Sequence, residues 1–274
     1  MGFQMSRRYL TSTRLRELDT ALTERDFLIL RYVIGLRFLS GDQLTRLCFV
    51  ADADPAANAR AARRTLLRLV RLEVLMRLPR SVGGARAGSA GFVYCLGLAG
   101  HRLSELRGWQ PKRRRRRSHS PGHLFLRHAL SVTELHVFLI EGDRSRRFEL
   151  LELSPEPSCW RSYDGTLGQR ATLKPDSFVR LGLGPYEDSY FVEVDRGTEG
   201  SRALEGKMQA YAAYHRSGRE QASRDVFPKV LWLATSQRRI AAIADVASRQ
   251  SREARPLFAV ASFNDALAVM TADT

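Results

Sequence analysis

The sequence predicts an α+β protein of two domains. Two observations carry that expectation. In the N-terminal part, apolar residues recur at helical spacing and then give way to two short strand-like runs. In the C-terminal half, β-branched and aromatic runs alternate with helical ones. Between them stand six consecutive cations, Lys112, Arg113, Arg114, Arg115, Arg116 and Arg117, bracketed by Pro111 and Pro121. Self-repulsion and the prolines mark this stretch as an extended linker. The expected organisation is a basic arm at 1–20, a first domain at 21–106, a linker at 107–121, a second domain at 122–265 and a tail at 266–274.

The first domain opens with Thr23-x-x-Asp26, the pattern of a capping box. Phe27, Leu28, Leu30 and Ile34 supply the apolar stripe of a helix ending near Arg37. Ser40-x-x-Gln43 is a second box, opening a short helix with Leu44 and Leu47 inward. A third helix is expected over Ala57–Leu75, with Leu66, Leu69, Val70 and Val74 inward. Arg60, Arg63, Arg64, Arg68 and Arg71 lie on or beside its outer face. Strand-like runs at Met76–Pro79 and Phe92–Leu96 flank a glycine-rich tip that carries Arg86, and Leu98–Leu106 reads as a further helix.

Three helices followed by a hairpin is the order of a winged helix-turn-helix. A helix fits the major groove of DNA, while the hairpin reaches the neighbouring groove or backbone. An arginine-rich helix face also suits a solvated surface or a protein interface. Composition favours DNA: 44 basic residues against 29 acidic ones give a net charge of +15, the electrostatic footprint of a polyanion binder. The linker cations would add binding without base preference by releasing counterions.

Other classes are disfavoured. Cys48, Cys95 and Cys159 are odd in number and widely spaced, with neither zinc-site nor disulfide-framework spacing. No run approaches the roughly 18 apolar residues of a membrane span, and the N-terminus lacks a signal-peptide core. A cytoplasmic protein without a membrane partner is expected. Anionic lipid is a weak alternative for the arginine run, since no amphipathic anchor adjoins it.

The second domain reads as helix, three strands, helix, strand, helix, strand. Its elements are expected near His123–Ile140, Arg147–Leu153, Leu173–Leu181, Ser189–Val194, Glu199–Ser217, Val230–Ala234, a helix to Arg249, and Leu257–Ala261. Phe191, Glu193 and Asp195 share one face of their strand, and Asp176 opens the strand before it. Paired as a hairpin, these strands would bring Asp176 and Glu193 together. Neighbouring carboxylates resist joint ionisation unless a cation neutralises them. Mg²⁺ or Mn²⁺ suits such oxygen ligands and would polarise a phosphodiester.

On the next helix Ala203, Lys207, Ala210, Tyr211 and Tyr214 fall on one face, expected to meet the sheet. The chain has only four lysines, at 112, 174, 207 and 229, which makes Lys207 conspicuous. A structural ion pair at the sheet edge is the alternative reading of these acids and this amine.

Pro175-Asp176 with Glu193-x-Asp195 in an αβββαβ order resembles the PD-(D/E)xK, restriction-endonuclease-like nuclease fold. The segment Glu193-Val-Asp-Arg-Gly-Thr-Glu199 with Lys207 and Tyr211 resembles, more closely, the replication-relaxation family of plasmids and integrative conjugative elements. That resemblance, over residues 20 to 262, implies a DNA-binding role in replication or transfer of a mobile element. The nuclease fold implies metal-binding acids at Asp176 and Glu193. Its lysine has no match at Asp195, leaving Lys207 as a relocated substitute.

Two functions follow as expectations. One is a DNA-binding protein, acting on duplex DNA, whose catalytic set Asp176, Glu193, Asp195 and Lys207 nicks or grips DNA. The other is a non-catalytic repressor, or an accessory factor recruiting a relaxase or replication initiator. A homodimer is compatible with both.

Overall fold

The computed structural model describes residues 10–49, 54–78, 91–109, 121–165 and 168–272. Two compact units emerge, Met1–Thr133 and Glu134–Thr274. Arg86 with the rest of the hairpin tip to residue 90, and Arg113, Arg114, Arg115, Arg116 and Arg117, lie outside the described residues.

The first unit contains α1 (Ser12–Ala21), α2 (Glu24–Leu36), β1 (Leu39–Ser40), α3 (Gly41–Cys48), α4 (Pro55–Arg71), β2 (Leu75–Leu78), β3 (Val93–Leu96) and α5 (Leu98–Leu106). Both expected capping boxes are present, Thr23 with Asp26 and Ser40 with Gln43. Ala62, Leu66 and Leu69 recur at helical spacing on α4 and are buried, which turns its arginines toward solvent. The strands form one antiparallel sheet in the order β1-β3-β2.

Part of the expected arm is instead α1. Thr11 caps it by accepting from the Arg14 amide, and Leu18 is buried. With Leu15, Leu18 and Ala21 the apolar residues among ten, its stripe is too short to stand out in sequence.

The second unit contains the second half of α6 (His123–Arg144), then β4 (Glu149–Pro155), β5 (Arg161–Asp164), β6 (Arg170–Leu173), β7 (Ser177–Leu183), β8 (Tyr186–Asp195), α7 (Ser201–Arg216), α8 (Arg219–Arg224), β9 (Lys229–Ala234), α9 (Gln237–Ser248), β10 (Phe258–Ser262) and α10 (Ala266–Met270). Leu126 of α6 packs with Leu78, Val93 and Cys95, so the units divide inside this helix and not at the arginine run. The expected tail is also partly ordered, because Ala266 and Met270 of α10 are buried.

The main sheet runs β10-β9-β8-β7-β4. β4, β7 and β8 form an antiparallel meander, and β9 and β10 add in parallel. A separate hairpin, β5–β6, was not anticipated, because its polar residues give no alternating apolar signal. Leu204, Met208 and Tyr211 of α7, with Ile243 and Val246 of α9, bury Phe178, Phe191 and Trp232 against one sheet face. Ser177, pointing opposite to Phe178, meets His136 of α6. Among the described residues no helix is long and apolar enough to cross a membrane.

The β3–α5 junction is packed to backbone contact. Glu73 sits at φ 57°, and its carbonyl accepts from the Ala99 amide. A Cβ on Gly100 would lie 2.2 Å from the Val74 carbonyl oxygen, whereas one on Gly35 of α2 meets nothing within 4 Å. Gly100→Ala should therefore cost roughly 1–3 kcal/mol of stability through overpacking. Gly35→Ala should leave stability unchanged or raise it by up to about 1 kcal/mol through helix propensity. Urea unfolding of the two variants checks this; equal effects would contradict it.

Candidate functional site

The strand expected over Leu173–Leu181 is two strands, β6 and β7, interrupted at Lys174-Pro175-Asp176. The Pro175 carbonyl accepts from the Cys159 thiol at 3.0 Å, and the Asp176 amide donates to the Val192 carbonyl at 3.1 Å. The β7–β8 ladder pairs Ser177 with Val192. One position further on, Asp176 stands beside Glu193, and its Oδ2 accepts from the Val194 amide at 2.7 Å. Both acids are buried, Glu193 to 2% exposure.

Glu193 is held from above by α7. Its Oε1 accepts from the Tyr211 hydroxyl at 2.7 Å, and its Oε2 accepts from Lys207 Nζ at 3.1 Å. Burial, followed by the negative charge of Asp176, pushes the Glu193 carboxyl up to about 8, against the opposing pull of Lys207 and Tyr211. Burial alone would favour a neutral Lys207. The carboxylates of Glu193, Glu199 and Asp176 outweigh it and hold the ammonium above its usual range. Burial and the Glu193 charge likewise keep the Tyr211 phenol protonated.

Lys207 reaches this group from the margin of the packed face of α7. The buried stripe is Leu204, Met208, Tyr211 and Tyr214, while the Lys207 side chain keeps 39% of its exposure. Its Nζ also pairs with Glu199 Oε1 at 2.9 Å and lies 5.7 Å from the centre of the Trp232 ring. Trp232 is the β9 register partner of Glu193. Its buried Nε1 makes no hydrogen bond among the described residues.

Asp195 does not join Asp176 and Glu193 as expected. Arg239 of α9 grips it through Nε at 2.5 Å and Nη2 at 2.7 Å, and the Gly197 amide adds a third bond. The same Nη2 donates to the Glu199 carbonyl at 2.7 Å. This bidentate, largely buried pair anchors the loop between β8 and α7. Arg239 carried no sequence signal, because its partner lies 44 residues away.

Among the described residues no three His, Cys, Asp or Glu side chains are grouped to hold a metal. A cation here would rest on the two carboxylates of Asp176 and Glu193. That donor set fits Mg²⁺ or Mn²⁺, which accept one or two carboxylates and complete their shell with water and phosphate oxygens. Repulsion between the buried acids favours a cation between them.

The arginine face of α4 divides in two. Arg68, expected on DNA, donates to both oxygens of fully buried Asp26 and so braces α4 against the α2 cap, while its side chain keeps 43% of its exposure. Arg60 is exposed and 3.7 Å from Asp54. Arg63, Arg64 and Arg71 are exposed and make no ion pair among the described residues.

The sequence model of the replication-relaxation family matches residues 30–230. That span includes Asp176, Glu193, Asp195 and Lys207, and the chain belongs to this family. No curated protein and no solved structure gives a significant match.

One buried histidine supports the site from behind. His136 Nε2 lies 2.7 Å from Ser177 Oγ, adjacent to Asp176. Burial pushes the imidazole from 6.5 down to about 3. The folded state therefore binds fewer protons than the unfolded state between these values. The stability contributed by neutral His136 is complete above pH 6.5 and is lost as pH falls toward 3. His136→Gln should reduce the pH slope of stability in this window by up to about 1.4 kcal/mol per pH unit. Urea unfolding across the window measures it, and parallel profiles for the two proteins would contradict the assignment.

Proposed function

We propose that this protein is a DNA-binding factor acting in the replication or transfer of a plasmid or other mobile element. In this reading the first unit docks on duplex DNA as a winged helix, and the second engages a phosphodiester at Asp176 and Glu193. Membership in the replication-relaxation family supports the biological setting. The convergence of Asp176, Glu193 and Lys207 carries the chemical part.

Several features support the finer assignments. In the first unit β1 pairs with β3 between helices α2 and α3, as a wing's supporting strand would. In the second, α6–β4–β7–β8–α7–β9, with β5–β6 as an insertion, follows the αβββαβ order of restriction-endonuclease-like domains. Mg²⁺ or Mn²⁺, when bound, would polarise the phosphodiester and offset the charge that develops on it. Asp176 and Glu193 would hold the ion. Lys207, part-exposed at the helix margin, would exchange a carboxylate partner for a phosphate oxygen and place its ammonium there. Tyr211 orients the Glu193 carboxylate from the buried side.

A second, non-catalytic reading has its own support. Lys207 is already paired with two carboxylates, and Asp195 is held by Arg239. Under it the chain would be a repressor, or an accessory factor for a relaxase or replication initiator, and DNA binding would not depend on a metal.

Conversion of supercoiled plasmid to nicked circles, with Mg²⁺ or Mn²⁺ against EDTA, separates the readings. Cation-dependent nicking should fall to background in Asp176→Ala and in Glu193→Gln, with DNA affinity kept. Nicking that survives both substitutions would remove these acids from the chemistry, and absence of nicking in the parent would leave the accessory role.

Docking by α4 is tested separately. Replacing Arg63, Arg64 and Arg71 with serine should weaken all duplexes alike. It should also flatten the plot of log affinity against log salt by about 2–3, near 0.9 per lost phosphate contact. An unchanged slope would place the duplex elsewhere.

A further inference from the structure

The base of the β5–β6 hairpin carries two exposed side chains that neither the core nor the carboxylate pair uses. Arg161 pairs with Leu173 at the end of this ladder, so Trp160 and Lys174 stand opposite each other one residue beyond it. Lys174 Nζ lies 4.9 Å from the centre of the Trp160 ring. Trp160 is 37% exposed, and Lys174 is exposed as well.

Their position ties them to the acids. Cys159, which precedes Trp160, bonds to the carbonyl of Pro175. Asp176 follows directly and borders Glu193. Of the four lysines in the chain, Lys207 pairs with Glu193 and Lys174 lies two residues before Asp176.

A single exposed tryptophan is ordinary. An exposed indole that faces an ammonium, on the segments that lead into the Cys159–Pro175 hydrogen bond and Asp176, is a matched set for one nucleotide, ring for base and cation for phosphate. Within a duplex both faces of each base are covered by its neighbours. An indole therefore stacks only on a base that is unpaired, terminal or flipped. A cation–π contact at the surface is weak and the lysine stem is flexible. A base can displace the ammonium from the ring face and leave it free to pair with the attached phosphate.

We propose that Trp160 and Lys174 form a stacking site for an unpaired nucleotide, which presents the adjoining phosphate of single-stranded DNA to Asp176 and Glu193. The destination of the phosphate rests on the function proposed above; the capture of the base does not.

The test is fluorescence anisotropy of the full chain with a labelled oligothymidylate and with a labelled blunt duplex, in EDTA at fixed salt. Trp160→Ala should weaken single-strand binding about tenfold and change duplex binding less than about twofold. Trp160→Phe should retain most of the single-strand affinity. Lys174→Gln should lower the single-strand salt slope by about 0.7, one phosphate contact.

Equal losses on both DNAs, or no loss on either, would overturn the proposal. The EDTA arm keeps it separate from the chemistry. Single-strand selectivity that depends on Trp160 in a protein without cation-dependent nicking sinks only the phosphodiester reading. Cation-dependent nicking with single-strand affinity indifferent to Trp160 sinks only the stacking site.

Discussion

The second unit is organised around one electrostatic problem, a pair of carboxylates brought side by side in a dry interior. Isolated, a buried carboxylate is among the most costly groups a fold can contain. Asp176 is offered the Val194 amide, while Glu193 is offered a phenol and an ammonium. Those donors come from two elements in two layers, β8 and α7, so the register of β7 on β8 and the rotation of α7 on the sheet are fixed by the same few contacts. The balance is incomplete, because burial first and the Asp176 charge second still hold the Glu193 carboxyl above the usual glutamate range. A site that folds with residual repulsion between its acids is poised to take up positive charge.

The same device recurs with arginine wherever the protein needs a joint and not a binding site. Asp26 is buried under Arg68, and Asp195 under Arg239. Glu220 is reached by Arg161 and Arg224 and by the Tyr214 hydroxyl. In each case a planar guanidinium brackets a carboxylate and joins elements distant in sequence. Part of the large arginine excess is therefore structural. The count of 44 basic residues overstates the cations displayed to a polyanion, and Arg63, Arg64 and Arg71 matter more than the total does.

What was legible in the sequence follows from the range of the forces involved. The boxes at Thr23 and Ser40 and the alternation along β8 are local patterns that appear where their residues place them; the α4 stripe holds at Leu66 and Leu69, but the helix ends at Arg71 and Leu75 begins β2. Asp176 and Glu193 were recognisable as neighbours because two consecutive strands pair by default. The hairpin β5–β6, the helix α1 and the rotation that puts Lys207 at the margin of α7 had weak local signals. The Arg68–Asp26 and Arg239–Asp195 pairs had none, since their partners are set by tertiary packing. Helix-face position therefore put Arg68 among the expected DNA contacts and strand alternation put Asp195 with the acids, without revealing the partners that Asp26 and Arg239 supply.

The most direct test of the central claim is anomalous scattering from crystals soaked in Mn²⁺. A peak within coordination distance of both the Asp176 and Glu193 carboxylates, absent in Asp176→Ala, is the predicted result. Full Mn²⁺ exposure with no peak there, and with Glu193 still tied to Lys207 and Tyr211, would show that these acids form a closed structural pair and not a cation site.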